Sequence, residues 1–199
     1  GCNAGNDITS GSYNIIFGKE TGDTITTGSN NILFGSSAGS ALTCAVRNIA
    51  IGSGAMFYDT IGQDNIAIGG AAMGSEDGGS SNRDFNIAIG CRAAGGLTTG
   101  RMNIVMGRIA ADNLQSGGCN VILGNEGGYC SKGSDNVYLG RGAARSSNTV
   151  SNNSGSSNIF IGTKGGENLT SGGCNIVLGG YAGNDMTSGG CNIILGRLG

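Results

Sequence analysis

The chain has 199 residues, the length of one ordinary domain, but 42 glycines with no proline, tryptophan or histidine exclude an ordinary globular core. Hydrophobic residues at 38% exclude a disordered chain, and 12% charged residues with a net charge of −2 leave neither a basic stripe for nucleic acid nor an acidic tail. Without histidine no Ser-His or Cys-His pair can form, the Asp and Glu residues do not recur as a fixed pair, and the commonest transition-metal ligand is missing. Neither catalysis nor a metal or other cofactor is expected.

Taken in chain order, the pattern Asn-apolar-x-apolar-Gly opens at Asn14, Asn31, Asn48, Asn65, Asn86, Asn103, Asn120, Asn136, Asn158, Asn175 and Asn192. The steps are 17, 17, 17, 21, 17, 17, 16, 22, 17 and 17 residues. Such a period marks a repeat architecture in which each unit buries its apolar face by stacking on its neighbours. The first position after each Asn is Ile or Val and the third is large and apolar, from Ile15 and Phe17 to Ile193 and Leu195. Period-two alternation and β-branching predict a short strand, and one strand per repeat stacks in parallel on its copies. The fourth position is Gly at every opening, as a corner needs, and three residues later the side chain is small, as at Thr21, Ala38 and Gly165. Six residues before the Asn runs a third column, Ile8, Ile25, Leu42, Leu97, Leu114, Leu169 and Met186, read as the second wall of the coil. The predicted fold is all-β: a parallel β-solenoid of about eleven rungs forming a single repeat domain over 1–199. At ~4.8 Å per rung it is a thin rod on the order of 50 Å long. The chain starts and stops within a repeat, which suggests a segment of a longer polypeptide.

The Asn column is read as a structural ladder, because stacked side-chain amides can hydrogen-bond along the rod. With positions one and three assigned to the interior, position two is expected outside. It reads Ile16, Leu33, Ala50, Ala67, Ala88, Val105, Ile122, Tyr138, Phe160, Val177 and Ile194, with no charge in the column. An apolar stripe of that length is too large to leave in water, so it is predicted to be a subunit interface in a homotrimer or filament. A flat single-chain coil with both faces internal is the alternative.

The runs Asn48-Ile49-Ala50-Ile51-Gly52, Asn65-Ile66-Ala67-Ile68-Gly69 and Asn86-Ile87-Ala88-Ile89-Gly90 resemble the head repeats of YadA-type trimeric autotransporter adhesins. Gly1-Cys2-Asn3-Ala4-Gly5 and Thr26-Thr27-Gly28-Ser29-Asn30-Asn31 are similar to repeats of phage and large-virus tail fibres. The resemblance implies a left-handed β-roll in a trimer. It also implies a structural or adhesive fibre at the cell or virion surface, whose partner is a host-surface receptor or glycan. It implies no catalytic residues.

Two longer steps place extra Ser, Asn and Gly residues at 75–81 and 145–157, and such loops on a rigid scaffold are candidates for contact. Thr9, Thr26, Thr43, Thr60, Thr98, Thr170 and Thr187 share a column, which supports a second reading as a single-chain ice- or surface-binding solenoid; Ser81, Gln115, Ser131 and Asn153 interrupt it. Seven cysteines lack zinc spacing. Cys119, Cys174 and Cys191 each precede an opening Asn and read as small buried members of the ladder, with Cys174 and Cys191 placed to form a disulfide. No run of about 18 apolar residues predicts membrane insertion, and no signal-peptide layout opens the chain. Any export signal for an extracellular or virion location is expected outside it.

Overall fold

A computed structural model of the protein describes residues 1–74, 83–146 and 154–198. The contact loops expected at 75–81 and within 147–153, with the Thr-column breaks Ser81 and Asn153, lie outside the described residues. The rest forms a β-solenoid with one three-residue strand per turn and, among the described residues, no helix. The strands are β1 (Ile15–Phe17), β2 (Ile32–Phe34), β3 (Ile49–Ile51), β4 (Ile66–Ile68), β5 (Ile87–Ile89), β6 (Ile104–Met106), β7 (Val121–Leu123), β8 (Val137–Leu139), β9 (Ile159–Ile161), β10 (Ile176–Leu178) and β11 (Ile193–Leu195). They make one parallel sheet in sequence order, each pairing in register with the next, as Ile49 with Ile66 and Ile51 with Ile68.

Backbone bonds at both ends of each strand fix this register. The amide of position one donates to the Asn carbonyl of the next rung, as Ile32 to Asn48 at 2.8 Å. The amide of the corner Gly donates to position three of the rung before, as Gly52 to Phe34 at 2.8 Å. At that corner the backbone has φ between 125° and 147°, and a Cβ on Gly52 would sit 2.5 Å from the carbonyl oxygen of Gly69. Only glycine allows both the angle and the close stacking of rungs.

The strand turns the opposite way from the expectation. Position two, in Ile16, Leu33, Ala50, Ala67, Ala88, Val105, Ile122, Tyr138, Phe160, Val177 and Ile194, points into the coil; from Leu33 to Val177 it is at most 1% exposed, and the two end members are partly buried. Buried within one chain, these side chains cannot be a subunit interface. They pack with the column six residues before the Asn, including Ile25, Leu42, Leu97, Leu114 and Leu169, and with the small column represented by Ala38, Ala55 and Ala110. The Asn face accounts for the inversion. Asn and position two lie two residues apart on one side of the pleat, and the Asn side chains, which need a dry and fully paired setting, take that side into the interior.

The interior is filled by size matching between position two and the turn residue six positions later. Ala50 and Ala67 are accompanied by buried Met56 and Met73, whereas Leu33, Ile122 and Phe160 are accompanied by Gly39, Gly128 and Gly166. A Cβ on Gly166 would lie 2.6 Å from the Phe160 ring, and one on Gly128 would lie 2.8 Å from the Ile122 Cδ1. The two sites share one volume, so a bulky residue at either demands a small one at the other. Tyr138 and Phe160 stack inside at 5.4 Å between ring centroids.

One charged pair breaks the apolar interior. Asp59 stands in the column six residues before the Asn, where Ile25, Leu42, Leu97, Leu114 and Leu169 stand on other rungs, and Arg83 stands in a column of Gly and Ala. Both side chains are fully buried, with Arg83 Nε 3.5 Å from Asp59 Oδ2. The Arg83 Nη1 donates to the carbonyls of Met73 and Leu97 at 3.0 and 2.8 Å. Burial pushes the Asp59 carboxyl up against the pull of Arg83, and pushes the Arg83 guanidinium down against the pull of Asp59.

Candidate interaction surface

The Asn column is a continuous ladder from Asn14 to Asn192. At each level the Oδ1 accepts from both the backbone amide and the Nδ2 of the next Asn; Asn103 receives Asn120 at 3.0 Å through each donor. The Nδ2 also donates forward to the turn carbonyl three residues before the next Asn, as Asn103 to Gly117 at 2.9 Å. From Asn31 to Asn175 these side chains are at most 1% exposed, and the ladder uses both donors and both acceptor sites of each interior amide. The two longer repeats do not disturb it: Asn86 bonds Asn65 across 21 residues at 2.9 and 3.2 Å, and Asn158 bonds Asn136 across 22 at the same distances.

Because Asn and position two face in, positions one and three face out. Position one is Ile or Val throughout, and position three is Phe17, Phe34, Ile51, Ile68, Ile89, Met106, Leu123, Leu139, Ile161, Leu178 and Leu195. None of these side chains is buried; Ile104 and Met106, mid-rod, are 39% and 40% exposed, and Phe17 and Phe34 stack on the surface at 4.9 Å between centroids. Two ranks two residues apart on a sheet stepping ~4.8 Å give an apolar strip on the order of 10 by 50 Å. Roughly 500 Å² of flat apolar surface is at the upper end of what a monomer leaves in water. The column before each Asn flanks it, with exposed Tyr13, Phe85 and Met102 and the bidentate pair Arg47–Asp64 at 2.7 and 2.8 Å. Hydrogen bonding and attraction from Arg47 hold the Asp64 carboxyl below its ordinary range. An apolar centre bordered by aromatic residues and an Arg–Asp pair has the composition of a protein interface.

Several hydroxyls of the Thr column are spent on bonds along the rod. Thr9, Thr43, Thr98 and Thr170 donate their hydroxyls to the next-rung carbonyls of Thr26, Thr60, Gln115 and Thr187 at 3.0, 3.1, 3.0 and 2.7 Å. Cys119, Cys174 and Cys191 are exposed, which corrects their reading as buried ladder residues, and Cys174 and Cys191 are free thiols. Their backbones are left-handed, with φ of 57°, 58° and 59°, and each directly precedes an Asn whose side chain faces in. Among the described residues no cluster of three or more His, Cys, Asp or Glu could hold a metal, and no helix is long and apolar enough to cross a membrane.

No protein-family model, no characterised protein and no solved structure matches the chain. The likeness to adhesin heads and tail fibres rests on the repeat residues alone.

Proposed function

We propose that the chain is a structural and adhesive fibre segment, in which copies lie side by side through the strip formed by positions one and three and build a stiff rod for surface attachment. The observation that carries this reading is the strip itself: outward Ile or Val and a large apolar residue at every level of the sheet. A partner that covers it level by level must share its ~4.8 Å axial step, and another copy of the same solenoid does so by construction. A formal charge of only −2 leaves little repulsion between copies. The resemblance to adhesin heads favours three copies, with a host-surface receptor or glycan as the partner of the assembled rod and an extracellular or virion-surface location. The ice- or crystal-surface reading loses support from the Thr column, several of whose hydroxyl donors are already used along the rod.

Native mass spectrometry tests the reading. The expected particle contains several chains, three for the adhesin-like arrangement, and Ile66→Glu combined with Ile87→Glu on the outer face yields monomers with an unchanged far-ultraviolet circular dichroism spectrum. A monomeric wild-type chain at micromolar concentration refutes it.

A further inference from the structure

On a lateral edge of the rod, away from the strip, four consecutive rungs form a small polar cavity of about 210 Å³. It is built from two neighbouring columns, six and nine residues after the Asn. The first carries Arg92, Ile109 and Glu126 and then Gly142; the second carries Gly95 and then Asp112, Tyr129 and Arg145. Ion pairs run diagonally between the columns. Arg92 Nη2 donates to Asp112 Oδ2 at 2.9 Å, and Arg145 Nη1 lies 3.3 Å from Glu126 Oε2. Between these pairs, on the opposite corners of the checkerboard, lie Ile109 and Tyr129.

Gly95 is part of the design, because a Cβ there would sit 2.3 Å from Asp112 Oδ1, so its absence lets the carboxylate tuck against the wall, with a side chain 5% exposed. The other three charged groups remain reachable from solvent, at 59%, 31% and 38% side-chain exposure for Arg92, Glu126 and Arg145. The Nε of Arg145 is shielded from solvent and has no hydrogen-bond partner among the described residues.

We propose that this cavity is a binding subsite for a single neutral sugar ring. Two guanidiniums and two carboxylates cancel, so the site offers dense donors and acceptors without a net charge that would select an ion. Vicinal hydroxyls each donate and accept, and therefore bridge a guanidinium–carboxylate pair without separating it. The pairs are centred two rungs apart, roughly 10 Å, so a ring lying over Ile109 and Tyr129 reaches both. Ile109 and Tyr129 supply the apolar and aromatic surface on which the C–H face of a sugar rests. The volume falls below that of drug-sized pockets and suits one residue of a glycan. The site is complete within one chain, so it stands independently of whether copies associate.

Saturation-transfer NMR with the methyl glycosides of glucose, galactose, mannose and N-acetylglucosamine tests it, since the method reads weak binding to particles of any size. At least one glycoside is expected to show saturation of its ring protons. Tyr129→Phe should keep the signal, while Tyr129→Ala and Glu126→Gln should weaken binding by about tenfold or more, because each removes a reachable contact. Circular dichroism of each variant confirms folding. The proposal is overturned if all four glycosides are silent at tens of millimolar, if Tyr129→Ala binds like the wild type, or if sodium phosphate displaces the sugar and so reveals an anion site. Native mass is read in the same samples, so a monomer that binds sugar, or an oligomer that does not, separates this proposal from the fibre reading.

Discussion

Exchanging the sizes of two interior residues tests the inverted strand directly. Ala67 and Met73 are both fully buried on the fourth rung, at the positions where the second rung carries Leu33 and Gly39. Ala67→Leu alone drives three extra carbons into a filled site and is expected to cost about 1–3 kcal/mol. Met73→Gly alone removes a buried side chain, a loss of about 2–5 kcal/mol. About 1 kcal/mol of that returns, because residue 73 is left-handed at φ 51° and glycine adopts that angle freely. Independent effects would sum to roughly 2–7 kcal/mol. The double variant recreates a pairing the chain already uses, so it is expected within about 1.5 kcal/mol of the wild type, and the shortfall from the sum is the coupling energy. Urea unfolding of the four proteins followed by circular dichroism, with equal m-values as the condition for comparison, supplies the cycle. A double variant as unstable as the sum of the singles would show that the two sites do not share a volume, and the packing described above would be wrong.

Asn103→Ala is expected to lower stability by several kcal/mol, because it strands the Gly117 carbonyl and leaves the amide and Nδ2 of Asn120 without their acceptor, at about 1–3 kcal/mol for each buried unpaired group. Chemical denaturation reads this, and a loss under 1 kcal/mol would contradict the ladder's role. Asp59→Leu alone should cost about 3–5 kcal/mol by leaving Arg83 charged and unpaired in the interior, whereas Asp59→Leu with Arg83→Met should recover most of that; equal losses in the single and the double would refute it. In the wild type the folded Asp59 carboxyl is raised above its unfolded value. The native state therefore binds its proton more tightly, and this group's contribution to stability is present below the ordinary carboxylate pKa and lost as pH rises through the raised one. Thermal melts of wild type and of Asp59→Leu/Arg83→Met across mildly acidic pH should differ in slope with that sign.

The rung, the strand and the corner glycine were legible because each rests on a local rule that the repeats restate at every level. The direction of the strand was not, for a physical reason. All three strand positions are apolar, so alternation in polarity, which normally selects the buried face, is silent. Two signals in the sequence decide it. Asn48 and Ala50 lie two residues apart and share a face, so an Asn ladder satisfied in a dry interior carries position two inward with it. The second is the compensation that sets Met56 beside Ala50 and Gly166 beside Phe160, which only residues sharing a volume require. The outward Cys174 and Cys191 follow from the same inversion, since each directly precedes an Asn that faces in. The cavity at Arg92, Asp112, Tyr129 and Arg145 needed the rungs stacked before its two columns met, since its residues span from 92 to 145.

The contrast between a varied position two and a uniform position one separates an inward column from an outward one on physical grounds. Position two ranges from Ala to Phe because each change in size is absorbed by a neighbour in the same chain, as Met73 absorbs Ala67. Position one has no such neighbour. It holds Ile or Val at every level, and a column that keeps one height along the rod presents a flat surface. Flatness does nothing for a face left in water, where a charge or a threonine would cost less. It suits a face pressed against another flat sheet of the same step, as the proposed side-by-side packing of copies requires.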